Sequence, residues 1–539
     1  MNELTVLTGD IPHVSMNHWQ GMRSFLDSDE VDVVVIGTGA GGAPAMSRLG
    51  SHGLKVVALE AGKKFDPHRD FATDERSQSK LFWMHERVSL GKDPIMFGNN
   101  NSGKGVGGST LHFTAYVPRP APESLRLKSL TGSGEDWPVN FEELVDYLEE
   151  VEEFLGVSGP KDYPWGAKRR KSYPLAPLPL NTPARLMEKA CGSIGIKTSA
   201  AANAALSSPY YQKGVGMRPA CTNRGYCQVG CNTGAKSSMD VTYIPHAVLN
   251  GVEVREESFV TGFVLNGDQK KIIGVRYKKD GLEKVQRCKS VFLAAGGVES
   301  PRLLLQSGLA NSSGKVGKNF MAHPGLEIWG TFDENTRPYR GIPGSLISED
   351  FQKSPNGEYH GGYLLQSIGV MPVTFASQLT RGRKIFGNDL LKQMAAYTHV
   401  AGINMLGDCF PSDENFLTLS SEKDDLGLPK PEIHFSYGEN EKNMIQHAQK
   451  VMTEIWEKAG AKDIWKFERS AHVIGTCRMG DDPSRSVVNR HGKCHDLENL
   501  YIVDNSIFPS ALSVNPALTI MAMSLKITDH FIKNLKDRS

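Results

Sequence analysis

Three groups of residues have the types and spacing to do chemistry. The first is Gly37-x-Gly39-x-x-Gly42, with Glu60 standing 18 residues beyond the last glycine. In a strand–turn–helix unit the first glycine allows a tight turn. The second admits backbone N–H groups to a pyrophosphate, and the third lets helix and strand pack closely. The helix N-terminus favours phosphate charge, and the acid can take ribose hydroxyls. A dinucleotide site is therefore expected, at a position that suits FAD as much as NAD. The second group is Cys221-x5-Cys227-x3-Cys231, within RPACTNRGYCQVGCNTGAK. Three thiolates so spaced suit a soft metal or a cluster. A [3Fe–4S] cluster, a zinc ion completed by a distant histidine, and free thiols are all readings of the spacing. Gly225, Gly230 and Gly234 would let backbone N–H groups reach a sulfide. The third group is His472, in HVIGTCRMG, and Asn515, in NPALT, 43 residues apart. A neutral histidine of ordinary pKa, about 6.5, can accept a proton near neutrality. An asparagine can hold an oxygen without competing for that proton. Taken singly, a core histidine and an Asn-Pro at a helix start are ordinary structural features.

These residues need elements to hold them. VDVVVIG (31–37) reads as a buried parallel strand, 40–53 as a helix and LKVVALEAG (54–62) as a second strand, making one β-α-β unit. After DWP, the run FEELVDYLEEVEEFLG predicts a helix with Leu144, Leu148, Val151 and Leu155 on one face. Residues 160–185 read as a surface segment, with the basic run 168–171 on a solvated face. Stretches at 253–264, 272–278 and 285–293 predict antiparallel strands, and 340–440 a mixture of strands and turns. Helices are expected over 441–459 and 516–535, the latter with Pro516 near its first turn.

Composition sets outer limits. The chain has 539 residues, 39% hydrophobic and 22% charged, enough for a sizeable core. Lys and Arg total 61 against 60 Asp and Glu, so no electrostatic footprint for nucleic acid is expected. Eight cysteines in this length are no disulfide scaffold. No apolar run is long enough to predict a membrane span, and the N-terminal residues lack a signal-peptide pattern. A cytoplasmic location is the expectation, with export alongside a partner subunit compatible with it.

Further motifs follow in order: GVGGSTLH (105–112), GGVESPRLLLQSG (296–308), HVIGTCRMG (472–480), LYIVD (500–504) and NPALT (515–519). Over roughly 30–330 and 465–535 the chain resembles the glucose–methanol–choline (GMC) family of FAD-dependent oxidoreductases. The resemblance implies an α/β (α+β) fold: a Rossmann-like FAD-binding domain built from discontinuous segments, plus a substrate domain on a mainly antiparallel sheet. It divides the chain into a lead-in (1–30), FAD-binding segments (31–120 and 241–330), a cap region carrying the cysteines (121–240), a substrate domain (331–464) and a C-terminal FAD-binding and catalytic segment (465–539). It implies that the loop holding Gly107, Gly108 and Ser109 lies along the flavin. Asp504 would lie near the pyrophosphate and ribityl chain, and the backbone at Val260 would meet the adenine.

By the same resemblance His472 and Asn515 form the catalytic pair. His112 is the candidate for a covalent bond to the flavin 8α-methyl, or else a plain lining of the flavin pocket. The cysteine spacing resembles that of bacterial sugar and polyol dehydrogenases with a [3Fe–4S] cluster. His323-Pro324 resembles a structural turn. The implied reaction oxidises a hydroxyl on a sugar, polyol, glycoside or aminosugar to a carbonyl. Hydride passes to flavin N5, and electrons leave to an acceptor protein or small partner subunit. The alternative is an oxidase that uses O2, for example on an aminoglycoside precursor, and releases hydrogen peroxide. A role confined to partner assembly is a third reading, which the intact His472 and Asn515 argue against.

Overall fold

The computed structural model describes residues 21–537 except 77, 98–101, 167–168 and 213–215. Residues 1–20 of the expected lead-in, and Lys168 of the basic run, lie outside the described residues.

The β-branched run Val31–Ile36 forms a strand with Val31, Val33, Val34 and Val35 fully buried. It lies between Val56–Leu59 and Leu282–Leu293, parallel to both. Glu253–Arg255 extends the sheet on one side and Leu500–Ile502 on the other, again in parallel. A meander of Phe259–Leu265, Ile272–Lys279 and the first half of Leu282–Leu293 completes seven strands. The helix Gly42–Ser51 follows the first strand, and Ala517–Lys536 packs on it and on Phe141–Leu155. That last helix starts with a capping box between Asn140 and Glu143, and its predicted face, Leu144, Leu148, Val151 and Leu155, is fully buried.

Two strand predictions need correction. Glu253–Arg255 is a parallel strand, distinct from the antiparallel Phe259–Leu265 that follows it. Leu282–Leu293 is one strand in two environments. Residues 282–287 pair antiparallel with Ile272–Lys279, whereas Cys288–Leu293 run parallel to Val31–Ile36. The outer half alternates between exposed and covered positions, while the inner half ends in the buried run VFL. Alternation marks a sheet with one wet face, and a continuous apolar run marks a sheet covered on both faces. The basic run is also only partly solvated: Arg169 ion-pairs with the buried Glu152 and stacks on Tyr173 at 3.6 Å.

The second sheet has six strands, all antiparallel, in the order Lys462–Ile474, Met321–Thr331, Val400–Gly407, Tyr363–Ile368, Leu346–Ser348, Ser199–Ala200. Its two faces are chemically different. Leu326, Ile328, Leu365, Ile403 and Met405 pack with Met444, Ala448 and Met452 of the helix Glu439–Lys458. Glu327, Gln366, Asn404 and Arg469 point the other way, into a cavity. The period of two in strand side chains produces this division. Among the described residues, no helix is long and apolar enough to cross a membrane.

Candidate functional site

The cavity has a volume of about 380 Å³ and runs from the glycine loop of the first sheet to the polar face of the second. Its lining includes Gly37, Gly39, Glu60, Gly108, Ser109, His112, Val260, Asp504, His472 and Asn515. The structure thus gathers these candidates from seven separated stretches of chain. Gly42 and Gly107 are not part of the wall.

At the first sheet the chain turns at Gly37, φ 93°, which a side chain would strain. A Cβ on Gly42 would lie 1.9 Å from the Gly37 carbonyl oxygen, and one on Gly41 would lie 2.3 Å from that of Val503. Helix and strands therefore approach as closely as backbone permits. A Cβ on Gly39 would meet nothing closer than 3.7 Å, so that position opens to the cavity. Gly107 donates its N–H to Thr38 Oγ1 at 3.1 Å, which ties the second glycine loop to the first.

Glu60 is buried and accepts from the Thr38 hydroxyl (2.8 Å) and from the N–H groups of Thr38 (3.1 Å), Gly62 (3.0 Å) and Gly105 (3.3 Å). Burial pushes its pKa up, and these donors oppose the rise. Asp504 is anchored in a similar way, by the Gly296 N–H (2.8 Å), the Ser300 hydroxyl (2.6 Å) and the Ser506 N–H (2.8 Å). Burial raises its pKa as well. An open glycine at a helix N-terminus, an acid at the end of the second strand and a long cleft beyond them fit FAD. Gly37–Gly41 would face the pyrophosphate, and Glu60 the adenosine ribose.

The other end of the cavity holds the histidines. His472 sits in a β-bulge: Val473 pairs with Ala322 and Ala471 with His323, so His472 has no partner across the ladder. Its φ is 52°. A bulge re-aims a side chain out of the regular alternation, and here Ala471 and His472 both reach the cavity wall. Nδ1 is enclosed and without a hydrogen-bond partner. Desolvation, then the neighbouring His323, Arg469 and His112, hold the His472 pKa well below the usual histidine value. His323 stands edge-on to it at 5.1 Å and is fixed by Nε2 against the Leu512 carbonyl at 2.9 Å. Burial pushes the His323 pKa down to about 4. His112 packs edge-on against Phe82 at 4.6 Å, its Nε2 enclosed and unpartnered. Burial and then Lys236 push its pKa down to about 3. Asn515 accepts at Oδ1 from Gln366 Nε2 at 2.5 Å, and Gln366 Oε1 accepts from Asn404 Nδ2 at 3.2 Å. That contact engages the Asn515 carbonyl oxygen, which leaves its NH2 as the group able to donate to a ligand.

The three cysteines lie beside the cavity rather than in its wall, although Gln228 between them lines it. All three are free and half-buried. Cys221 Sγ accepts the Asn223 N–H and Cys231 Sγ the Lys236 N–H, each at 3.4 Å. Burial raises the Cys221 pKa and pushes that of Cys227 up to about 12, with Lys236 opposing the latter. Among the described residues no three His, Cys, Asp or Glu side chains converge as ligands of a single metal ion. Lys236 connects this segment to the loop that carries His112. Its buried ammonium donates to the carbonyls of Cys227 (2.6 Å), Leu111 (2.8 Å) and Phe113 (3.2 Å), on both sides of His112.

Thr38, Lys236, Gln366 and Asn404 are site residues that sequence reasoning missed. The usable signal was a lone polar residue inside an apolar strand, as in YLLQSI and AGINMLG.

Comparison with known proteins agrees with this geometry. Two family models, each described as GMC oxidoreductase, match residues 97–325 and 411–524. The fructose dehydrogenase large subunit of Gluconobacter japonicus is 27% identical, over 94% of this chain and 98% of that protein. The 2-methyl-1,2-propanediol dehydrogenase of Mycolicibacterium austroafricanum is 28% identical, over 95% and 96%. Among solved structures, formate oxidase of Aspergillus oryzae superposes with a TM-score of 0.69 at 17% identity, over 95% of this chain and 100% of that one. With a glycine cradle on a parallel sheet, a polar antiparallel face opposite it and both family models in chain order, the protein belongs to the GMC oxidoreductase family of FAD-dependent enzymes.

Proposed function

We propose that this enzyme oxidises a secondary or primary hydroxyl on a sugar, polyol or related compound to a carbonyl, with His472 as base. One observation carries the reading: a bulged histidine whose Nδ1 has no hydrogen-bond partner among the described residues shares a cavity wall with Asn515 and the glycine cradle. FAD, when bound, supplies the hydride acceptor. The chain's own residues do the rest. Asn515, held at Oδ1 by Gln366, donates from its NH2 to the substrate oxygen. His472 is neutral at ordinary pH and takes the hydroxyl proton at Nε2, because Nδ1 is enclosed. Two relatives named as dehydrogenases, one for a sugar and one for a diol, support the substrate class.

Two finer assignments belong to the same proposal. His112 is the candidate for a covalent flavin link, supported by its unpartnered Nε2 at the cavity. Cys221, Cys227 and Cys231 are the candidate ligands of a [3Fe–4S] cluster, supported by backbone donors on two of the sulfurs and by the Lys236 bridge to the flavin loop. Such a cluster would supply one-electron carriage to an acceptor subunit. The similarity to a protein named as a large subunit favours such a partner. The test is anaerobic mixing of the holoenzyme with sugars and polyols while flavin absorbance is followed. His472→Ala should slow substrate-driven bleaching by about 10²–10⁴-fold with flavin still bound. Unchanged bleaching would sink the assignment of the base. Peroxide release at the rate of turnover in air would move the protein to the oxidases.

A further inference from the structure

The charges in the cavity wall can be matched one by one. Glu60 and Asp504 are satisfied by backbone and hydroxyl donors. Glu299 holds Arg302 at 3.1 Å, and Glu327 holds Arg469 at 2.8 Å. Arg381 is left over. It lines the same cavity, yet it has no ion-pair partner among the described residues. Its Nε is enclosed and unpartnered, and the contact at Nη2 is the sulfur of Met96 at 3.7 Å. The guanidinium lies over the Phe467 ring at 5.2 Å.

Its placement is built rather than incidental. The helix Pro372–Gln378 has its first turn held by Glu75, which accepts from the N–H groups of Val373 (2.6 Å) and Thr374 (2.9 Å). The chain then runs into a π-helical turn, Leu379–Arg383, which carries Arg381 to the cavity. Single π-turns often occur at functional sites. Burial, and then the like charge of Arg469, lower its pKa, while Glu327 opposes the shift. A partly desolvated cation without a counter-ion is costly, and an arginine fork is the group best shaped for an oxyanion.

We infer that the substrate carries an anionic group, a carboxylate or a phosphate, remote from the hydroxyl that is oxidised, and that Arg381 receives it. Phe467, beneath Arg381, precedes His472 by five residues in the same strand. At ~3.3 Å per residue that is roughly 16 Å of backbone, part of which the two side chains span. The anion and the reacting carbon are therefore several bonds apart, as at opposite ends of a polyhydroxy acid or a polyol phosphate. The phosphate cradle of the dinucleotide lies at the first sheet, so Arg381 is not needed there.

This inference rests on the proposed function, and the experiment separates the two. Wild-type holoenzyme, Arg381→Gln and Arg381→Lys are compared with a hexitol, the corresponding hexonic acid and the hexitol phosphate. Bound-flavin spectra and melting temperatures establish that each variant is folded. Glutarate, which has carboxylates and no hydroxyl, is titrated calorimetrically into each protein as a probe that needs no turnover. The expected result is a KM for one anionic compound about tenfold or more below that for the hexitol, equivalent to one charged hydrogen bond or more. Arg381→Gln should raise that KM about tenfold and abolish glutarate binding, and Arg381→Lys should restore part of both. Preference for the acid or for the phosphate identifies the source of the anion. Equal KM for neutral and anionic compounds, or glutarate binding indifferent to Arg381→Gln, overturns the inference. If no hydroxyl compound bleaches the flavin while glutarate binds through Arg381, the proposed function fails and the anion site stands.

Discussion

His472 is held in the neutral form that suits a base, on a backbone at φ 52° that a non-glycine residue seldom adopts. Because its pKa is depressed, kcat/KM should stay level as pH falls from 7 through 6 and decline only at more acid values, which a pH–rate profile of flavin reduction checks. Stability should behave differently. His323 titrates at about 4 when folded and near 6.5 when unfolded. Between those values the unfolded chain binds a proton that the folded chain does not, so stability falls as pH drops, by about 1.4 kcal/mol per pH unit for each such group. His112 and His472 act in the same sense. Urea midpoints at pH 7 and pH 5 should show the loss, and His323→Gln should make the slope shallower. Gln366 offers a third test. Gln366→Leu removes the donor that orients Asn515. It should lower kcat/KM about tenfold with flavin content unchanged, a result typical of a positioning residue.

At the scale of elements, two neighbouring glycines separate packing from ligand approach. Gly41→Ala drives a methyl group into the Val503 carbonyl, and should destabilise the protein by about 1–3 kcal/mol whether or not flavin is present. Gly39→Ala has room in the protein, so the melting temperature of the apoprotein should hold while flavin content falls. Absorbance ratio and melting curves read both. The glycine loop was legible in the sequence because each glycine answers a local steric need next to a strand of recognisable composition. The helices Phe141–Leu155, Glu439–Lys458 and Ala517–Lys536 were legible from their apolar spacing. The bulge was not. A bulge is a mismatch in count between two strands, and nothing in HVIG shows that Met321–Thr331 offers one residue fewer at that place. Nor could the Asn404–Gln366–Asn515 chain be read, since the antiparallel sheet sets Asn404 beside Gln366 and Asn515 reaches them from the start of the last helix.

For the molecule as a whole, the cluster proposed at the cysteines has a direct chemical test. Protein purified without oxygen should contain about three irons and about four acid-labile sulfides per flavin. Iron-free protein with full flavin would leave three thiols beside the His112 loop and remove the cluster. The general architecture was legible from motifs in chain order, whereas the substrate side was not, because residues 331–464 carry their chemistry on single polar positions scattered through apolar strands. The strand Leu282–Leu293 also has a consequence for how the protein is made. Its inner half needs Leu500–Ile502 on its open side. At ~5–20 residues per second, the ribosome delivers that strand on the order of ten to forty seconds later. Throughout that interval a row of unpaired backbone groups, backed by Val291, Phe292 and Leu293, stands open on the nascent chain. Expression yield should therefore respond to chaperone supply and to translation speed, and a chain stopped before residue 500 should emerge as aggregate rather than as a smaller flavoprotein.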